Sequence, residues 1–426
     1  MNNDSIQSLI LEQLKILNIQ EFEEINIDKI LFNVSGVSIN ARIKFMLQDV
    51  AKRLICNSFI YDINQNESKL LFLTYDYHRV DHMDSWRKFK ALFNDYDEII
   101  MDDLGFSKKR ILKPKQIISS ITKLFEFYSQ LYNINSRRTR VILAAHLVEL
   151  HRLKLLLDGY SFDYNVVVTF FDGGSYENLV IQYLKMRGIT TVTMQHGQPV
   201  FHGFGIDRIN QTMILNFSSD YVIVPGVYGK EQFMLGGVDA KNIAVLGSLR
   251  NISEPQMKLT NEFLVFLDCP TNNSAKLTNS KLVLIAEKIA EERNMTYRVK
   301  LHPQDSLDNY SDTILNKGWY ISGNANIANL VVNASFAILH ISGIYLDLLA
   351  AGIKSFCYQR KNEIGIVTSN LDKFETEDDL NDKLYKWLKM TDQEQIKHIN
   401  EEVERYLSPI NAKERHQTFI YNLEKV

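Results

Sequence analysis

From residue 70 onward, short apolar and β-branched runs alternate with stretches whose apolar residues recur every three to four positions. LLFLTYDY (70–77) and EIIMDDLG (98–105) read as strands separated by a helical stretch. NVVVTFFDGG (165–174), SYENLVIQYLKMRG (175–188) and ITTVTMQHG (189–197) form a strand–helix–strand unit whose helix stops at Gly188. YVIVPG (221–226) and NIAVLGS (242–248) continue the series around a helical GKEQFMLGG. TRVILAAHLVEL (139–150) fits either period. At the start, Ile6, Leu9, Ile10, Leu14 and Leu17 share one helical face.

A second series opens at EFLVFLDCP (262–270). It runs through the helix SKLVLIAEKIAEERN (280–294), YRVKLHP (297–303), GWYISG (318–323), the helix ANIANLVVNA (325–334) and FAILHIS (336–342), then IYLDLLAAG (344–352) and KSFCYQ (354–359). A charged helical tail follows from Glu375. Alternation this dense predicts an α/β protein of parallel sheets covered by helices. Two such series, meeting at the polar, proline-containing segment 249–261, predict two doubly wound Rossmann-like domains with a cleft between them. The expected boundaries are residues 1–250 for an acceptor-side domain and 251–400 for a nucleotide-donor domain, with a helix over 401–426 packing back toward the first.

Composition narrows the class. At 426 residues the chain holds two or three domains, and 45% hydrophobic with 23% charged residues is ordinary for a globular protein. With 48 basic against 51 acidic residues the net charge is −3, which argues against a nucleic-acid partner. Cys56, Cys269 and Cys357 lie far apart, without metal-ligand spacing. The acidic, amphipathic N-terminus does not read as a signal peptide, and no apolar run reaches the 18 residues of a membrane span. These features predict a cytoplasmic protein. The locally basic SKKRILKPKQ (107–116) reads first as a solvated loop or helix start and allows at most a peripheral contact with anionic lipid at the inner face of the membrane.

In doubly wound folds ligands bind beyond the carboxyl ends of the strands, so the residues there carry the chemistry. Asp172, in FDGGS, and His196, in HGQP, each follow a strand and are suited to take a proton from an acceptor hydroxyl. Asp-Gly-Gly-Ser is also ordinary turn chemistry, with Ser175 as a helix cap and Glu177 complementing the helix dipole. Lys300, His302 and Pro303, in KLHP, place two cationic groups on a rigid turn, as a departing phosphate requires. Ser342 and Gly343 stand where a strand passes into a helix, a position suited to an anion, with Ser342 also a good N-cap. Asp347, one turn on, is placed to accept from ribose hydroxyls. Ser248, after NIAVLG, reads either as a further phosphate or hinge contact or as part of a plain βα turn. Asp102–Asp103 is the nearest acidic pair to a metal-bridging motif and reads as a strand end, so neither a metal nor a bound cofactor is expected.

Across roughly residues 160–360 these motifs resemble the GT-B glycosyltransferases. QHGQP, SDYVIVPG and VLGS match the second half of an N-terminal domain, and KLHP with SGIYLDLLAAG matches the donor-binding half. The His-Pro pair followed by a Ser/Gly helix start is similar to bacterial sialyl- and polysialyltransferases, capsular Kdo transferases and CDP-glycerol glycerophosphotransferases. In the sialyltransferase groups an acidic pair before glycine supplies the base. Asp172 falls on its second acid, and Phe171 stands in place of the first. In the glycerophosphotransferase group the base is the histidine of an HG pair, which falls on His196. The resemblance implies metal-independent, inverting transfer from a nucleotide-sugar, with a cytidine donor ahead of UDP. The acceptor would be a hydroxyl of a growing surface glycan, such as a capsular polysaccharide, or a lipid-linked acceptor. Teichoic-acid-type polyol-phosphate transfer, nucleotide-sugar 2-epimerisation and a non-catalytic partner subunit are the alternatives on the same fold.

Overall fold

The computed structural model describes residues 3–40, 42–56, 60–64, 68–76, 80–102, 111–195, 197, 199–203, 211–255, 260–269, 273–303, 305–310, 319–321, 325, 327–340, 342–361 and 363–425. The chain divides into two compact units. One comprises residues 1–224, 230–246 and 413–426; the other comprises 225–229 and 247–412. The sequence expectation set these divisions at 250/251 and 400/401.

The first unit contains α1 (Asn3–Lys15), α2 (Ile27–Ile30), α3 (Phe32–Asn40), α4 (Ile43–Ile55), β1 (Ile60–Asn64), β2 (Leu70–Asp76), α5 (Val80–Lys90), β3 (Asp97–Asp102), α6 (Pro114–Gln130) and α7 (Arg137–Asp158). It continues with β4 (Val166–Thr169), α8 (Ser175–Met186), β5 (Thr190–Met194), α9 (Thr212–Leu215), β6 (Tyr221–Val224), most of α10 (Val227–Leu235) and β7 (Ile243–Val245). Its sheet runs β1-β3-β2-β4-β5-β6-β7. Every pairing is parallel except β1 with β3.

The runs that begin at Leu70, Glu98, Asn165, Ile189 and Tyr221 thus hold the neighbouring strands β2, β3, β4, β5 and β6. Val166, Val167 and Val168 are buried, as a strand covered on both faces requires. The ambiguous segment 139–150 is helical. It lies inside the 22-residue α7, which buries Leu143, Leu147, Leu150 and Leu153 at helical spacing. The antiparallel edge strand β1 had no counterpart in the sequence reading, because its five residues, IYDIN, interrupt the apolar run with Asp62 and Asn64. In α1 the inward face carries Ile10, Leu11 and Leu14, while Leu9 is exposed rather than facing inward.

The second unit contains β8 (Glu262–Phe266), α11 (Asn273–Arg293), β9 (Thr296–Lys300), β10 (Trp319–Ile321), α12 (Ile327–Val331), β11 (Ala337–Leu339), α13 (Ile344–Ala350), β12 (Ser355–Tyr358), β13 (Lys373–Phe374), α14 (Glu377–Lys389) and α15 (Asp392–Leu407). Its parallel sheet runs β10-β9-β8-β11-β12-β13. The order reverses between β8 and β11, and such a reversal opens a crevice at the strands' carboxyl ends. Phe263, Phe336 and Phe356 pack together inside this unit, the first two stacked at 4.8 Å.

Helix α16 (Ala412–Glu424) belongs to the first unit. There His416 packs edge-on against Phe89, Phe419 against Tyr221, and Gln417 donates to the Leu92 carbonyl.

Candidate functional site

In the first unit Asp172 follows β4 and is buried. Its Oδ2 accepts from the Ser218 amide (2.9 Å), the Ser219 amide (2.8 Å) and the Ser219 hydroxyl (2.7 Å). The Asp172 carbonyl accepts from Asn178 Nδ2, and Asn216 Nδ2 donates to the Gly173 carbonyl. Burial pushes the Asp172 carboxyl up, and the Ser218 and Ser219 bonds with the nearby Lys29 charge only partly offset it. This carboxylate ties the end of β4 to the segment entering β6. Ser175 does not cap α8: the N-cap is Gly174, and Glu177 folds its carboxylate back over that glycine. His196 and Asp103 lie outside the described residues.

The same carboxyl edge carries a group that no motif announced. Tyr75, at the end of β2, stacks on Tyr176. The Tyr176 hydroxyl donates to Glu149 (2.7 Å), and Arg53 pairs with the same carboxylate. Burial opposes the Arg53 charge, and Glu149, Tyr176 and Asp49 together outweigh it. These partners come from α4, α7 and α8, so sequence proximity gave no signal.

In the second unit Lys300 ends β9 and is buried, its Nζ 3.5 Å from the Leu301 carbonyl. His302 is partly buried, Pro303 is exposed, and the His302 carbonyl accepts the Asp305 amide. Ser342 is partly buried. It does not cap α13: Gly343 occupies the N-cap, and the Ser342 carbonyl accepts from the Tyr345 amide. Asp347 takes a 2.7 Å hydrogen bond from Arg250 Nε, so the carboxylate read as a ribose acceptor already holds a cation. Ser248 is buried, and its hydroxyl accepts the Arg250 amide. Ser248, Arg250 and Asp347 therefore form one group that braces the chain entering the unit.

Between β8 and β11, at the point where strand order reverses, stands a triad. His340, just past β11, bonds through Nδ1 to Asp268 Oδ2 (2.5 Å) and through Nε2 to Glu363 Oε2 (3.0 Å). Burial works against its protonated form, but the two carboxylates overcome this and push its pKa up to about 9. Glu363 is correspondingly lowered: burial raises it, but the bond to His340, the Arg360 amide and the charges of both residues together outweigh the burial. Asn279 holds the Asp268 backbone at both its amide and its carbonyl. The carboxyl ends of β8, β9 and β11 thus present Asp268, Lys300, His302, His340 and Ser342 along one edge of one sheet. Asp268 and His340 were missed, although each sits within two residues of a strand's end; Glu363, 23 residues beyond His340, had no local signal.

The fold is of the GT-B type. A Staphylococcus aureus MnaA–UDP co-structure matches with a TM-score of 0.52 and 9% identity over 84% of this chain and 98% of that one. A putative UDP-N-acetylglucosamine 2-epimerase from Listeria monocytogenes gives 0.54 and 10%, over 85% and 98%. The UDP-GlcNAc 2-epimerase from Neisseria meningitidis, bound to UDP-GlcNAc, gives 0.50 and 10%, over 84% and 100%. At such identities the likeness is one of architecture. No protein-family model and no curated protein matches the sequence.

Proposed function

We propose that the protein is a glycosyltransferase that uses a nucleotide-activated sugar. The observation that carries this reading is the cationic edge of the second unit, with Lys300 and His302 at the end of β9 and the Ser342–Gly343 turn after β11 beside the strand-order reversal. A departing nucleotide phosphate needs fixed donors, and in this reading Lys300 and His302 supply them. In the proposed step a base takes the acceptor hydroxyl proton and the oxygen attacks the activated carbon. The carbon–phosphate oxygen bond breaks, and its electrons go to the phosphate held by Lys300 and His302. His196 is the base in this reading. Asp172 has three donors on one oxygen and serves as an anchor for the β4 turn.

A second reading, nucleotide-sugar 2-epimerisation, draws support from the architecture shared with proteins described as UDP-GlcNAc 2-epimerases. The same proteins favour uridine, whereas the His-Pro resemblance favours cytidine. One experiment separates these readings: incubation with UDP-GlcNAc, CMP- and CDP-activated sugars, with and without oligosaccharide acceptors, followed by NMR and nucleotide-release detection. Transfer predicts acceptor-dependent nucleotide release that is lost in His196→Ala and His302→Ala. An acceptor-independent change at C2 of the sugar would replace transfer by epimerisation.

A further inference from the structure

Helices α4, α6 and α7 form a layer at the start of the first unit. Helix α4 runs alongside α7 in the same direction, with Asp49 facing His146 and Arg53 facing Glu149. Helix α6 runs against it, Ser120 meeting Arg152 and Tyr128 meeting Arg140. The N-terminal half of α4 and the C-terminal half of α6 therefore lie toward the same end of α7, the end that begins at Arg137.

At that end apolar side chains face solvent. Along α6, Phe125 is 67% exposed there, and Ile118 and Ile121, in the other half of the helix, carry its exposed stripe on toward the far end of α7. Tyr132 follows at 68%. On α4, Phe45 is 62% exposed; Ile43 and Leu47 are exposed as well, on the opposite side of the helix. Single exposed apolar residues need no explanation, but a helical stripe joined by a second helix's apolar end does.

The charges around it have one sign. Arg42, Lys44, Arg137 and Arg138 are exposed, and none forms an ion pair among the described residues. The acids carried by α4 and α6, Asp49 and Glu126, are already held by Arg53 and Lys123. Apolar side chains ringed by unpaired basic ones complement a surface with negative headgroups above an acyl layer. A two-fold dimer through the same face would instead set these cations against their own copies. Among the described residues no helix is long and apolar enough to cross a membrane, so this contact would lie in the interface.

We propose that this α4/α6 face docks the protein on an anionic lipid bilayer, through Phe45, Phe125 and Tyr132 with Arg42, Lys44, Arg137 and Arg138. The test is co-sedimentation of the full chain with phosphatidylglycerol/phosphatidylcholine vesicles and with phosphatidylcholine alone, at low and high salt. Binding is expected only to the anionic vesicles and falls with salt. Arg137→Glu with Arg138→Glu weakens it roughly tenfold or more. Phe125→Ser with Phe45→Ser weakens it at low salt too, while circular dichroism and the melting temperature stay unchanged. Absence of binding to anionic vesicles, or equal binding to neutral ones, would overturn the proposal. So would binding that survives both double variants. A concentration-dependent dimer abolished by Phe125→Ser, without vesicle binding, would assign the face to a second copy.

Discussion

Replacing Asp172 by Ala would leave three donors of Ser218 and Ser219 facing a buried void. Orphaned buried donors cost about 1–3 kcal/mol each, less whatever water enters. Asp172→Ala is therefore expected to destabilise the protein by about 3 kcal/mol in urea titration, and Asp172→Asn, which keeps one acceptor, by about 1 kcal/mol. A base that merely faced a substrate would show no such loss of stability. His340 makes the opposite kind of prediction, one that depends on pH. Its pKa rises on folding from 6.5 to about 9, so its contribution is fully present below 6.5 and is lost as pH climbs through 9. A shift of that size corresponds to about 3 kcal/mol. Urea midpoints at pH 7 and pH 10 are expected to differ more in wild type than in His340→Asn. Equal differences would mean that the triad adds nothing to folding.

Helix ends test the element scale. Helix α13 terminates through Gly352, at φ 71°, whose amide bonds the Leu349 carbonyl while Ile353 bonds Leu348. A Cβ there would lie 2.7 Å from the Glu254 carbonyl oxygen and 2.8 Å from Pro255 Cα, both backbone atoms. Gly352→Ala thus combines left-handed strain with a collision that no rotamer relieves. It should cost about 2 kcal/mol or more, read from the urea midpoint; Gly188→Ala, at φ 80° with open space around it, should cost about 1 kcal/mol. The strands from Leu70 onward were legible because parallel strands buried on both faces read as unbroken Val/Ile/Leu/Phe runs. The edge strand β1 was not, since its polar alternation matches a loop as well as a strand. KLHP and SGIYLD were legible for a local reason: strand, turn and helix follow one another in sequence. The triad was invisible because Asp268, His340 and Glu363 come from three segments up to 95 positions apart, and only the sheet order brings them together. Asp347 misled for the same reason. Nothing local showed that Arg250 would reach it.

At the scale of the whole molecule, the proposed function places nucleotide binding in the second unit, at the carboxyl ends of its strands, and the reading stands or falls there. A ligand that binds only the native state raises stability by about 2.7 kcal/mol at a hundredfold excess over Kd, or roughly 5–10 °C in melting temperature for a domain of this size. The decisive measurement is the melting temperature of the full chain with CMP, CDP, UDP, GDP and dTDP, in wild type and in His302→Ala. The account predicts that at least one nucleotide raises the wild-type value and that His302→Ala, equally stable without ligand, loses most of the rise. A folded wild type that responds to none of them, or a variant that responds as fully as wild type, would contradict the placement of the donor phosphate at the end of β9.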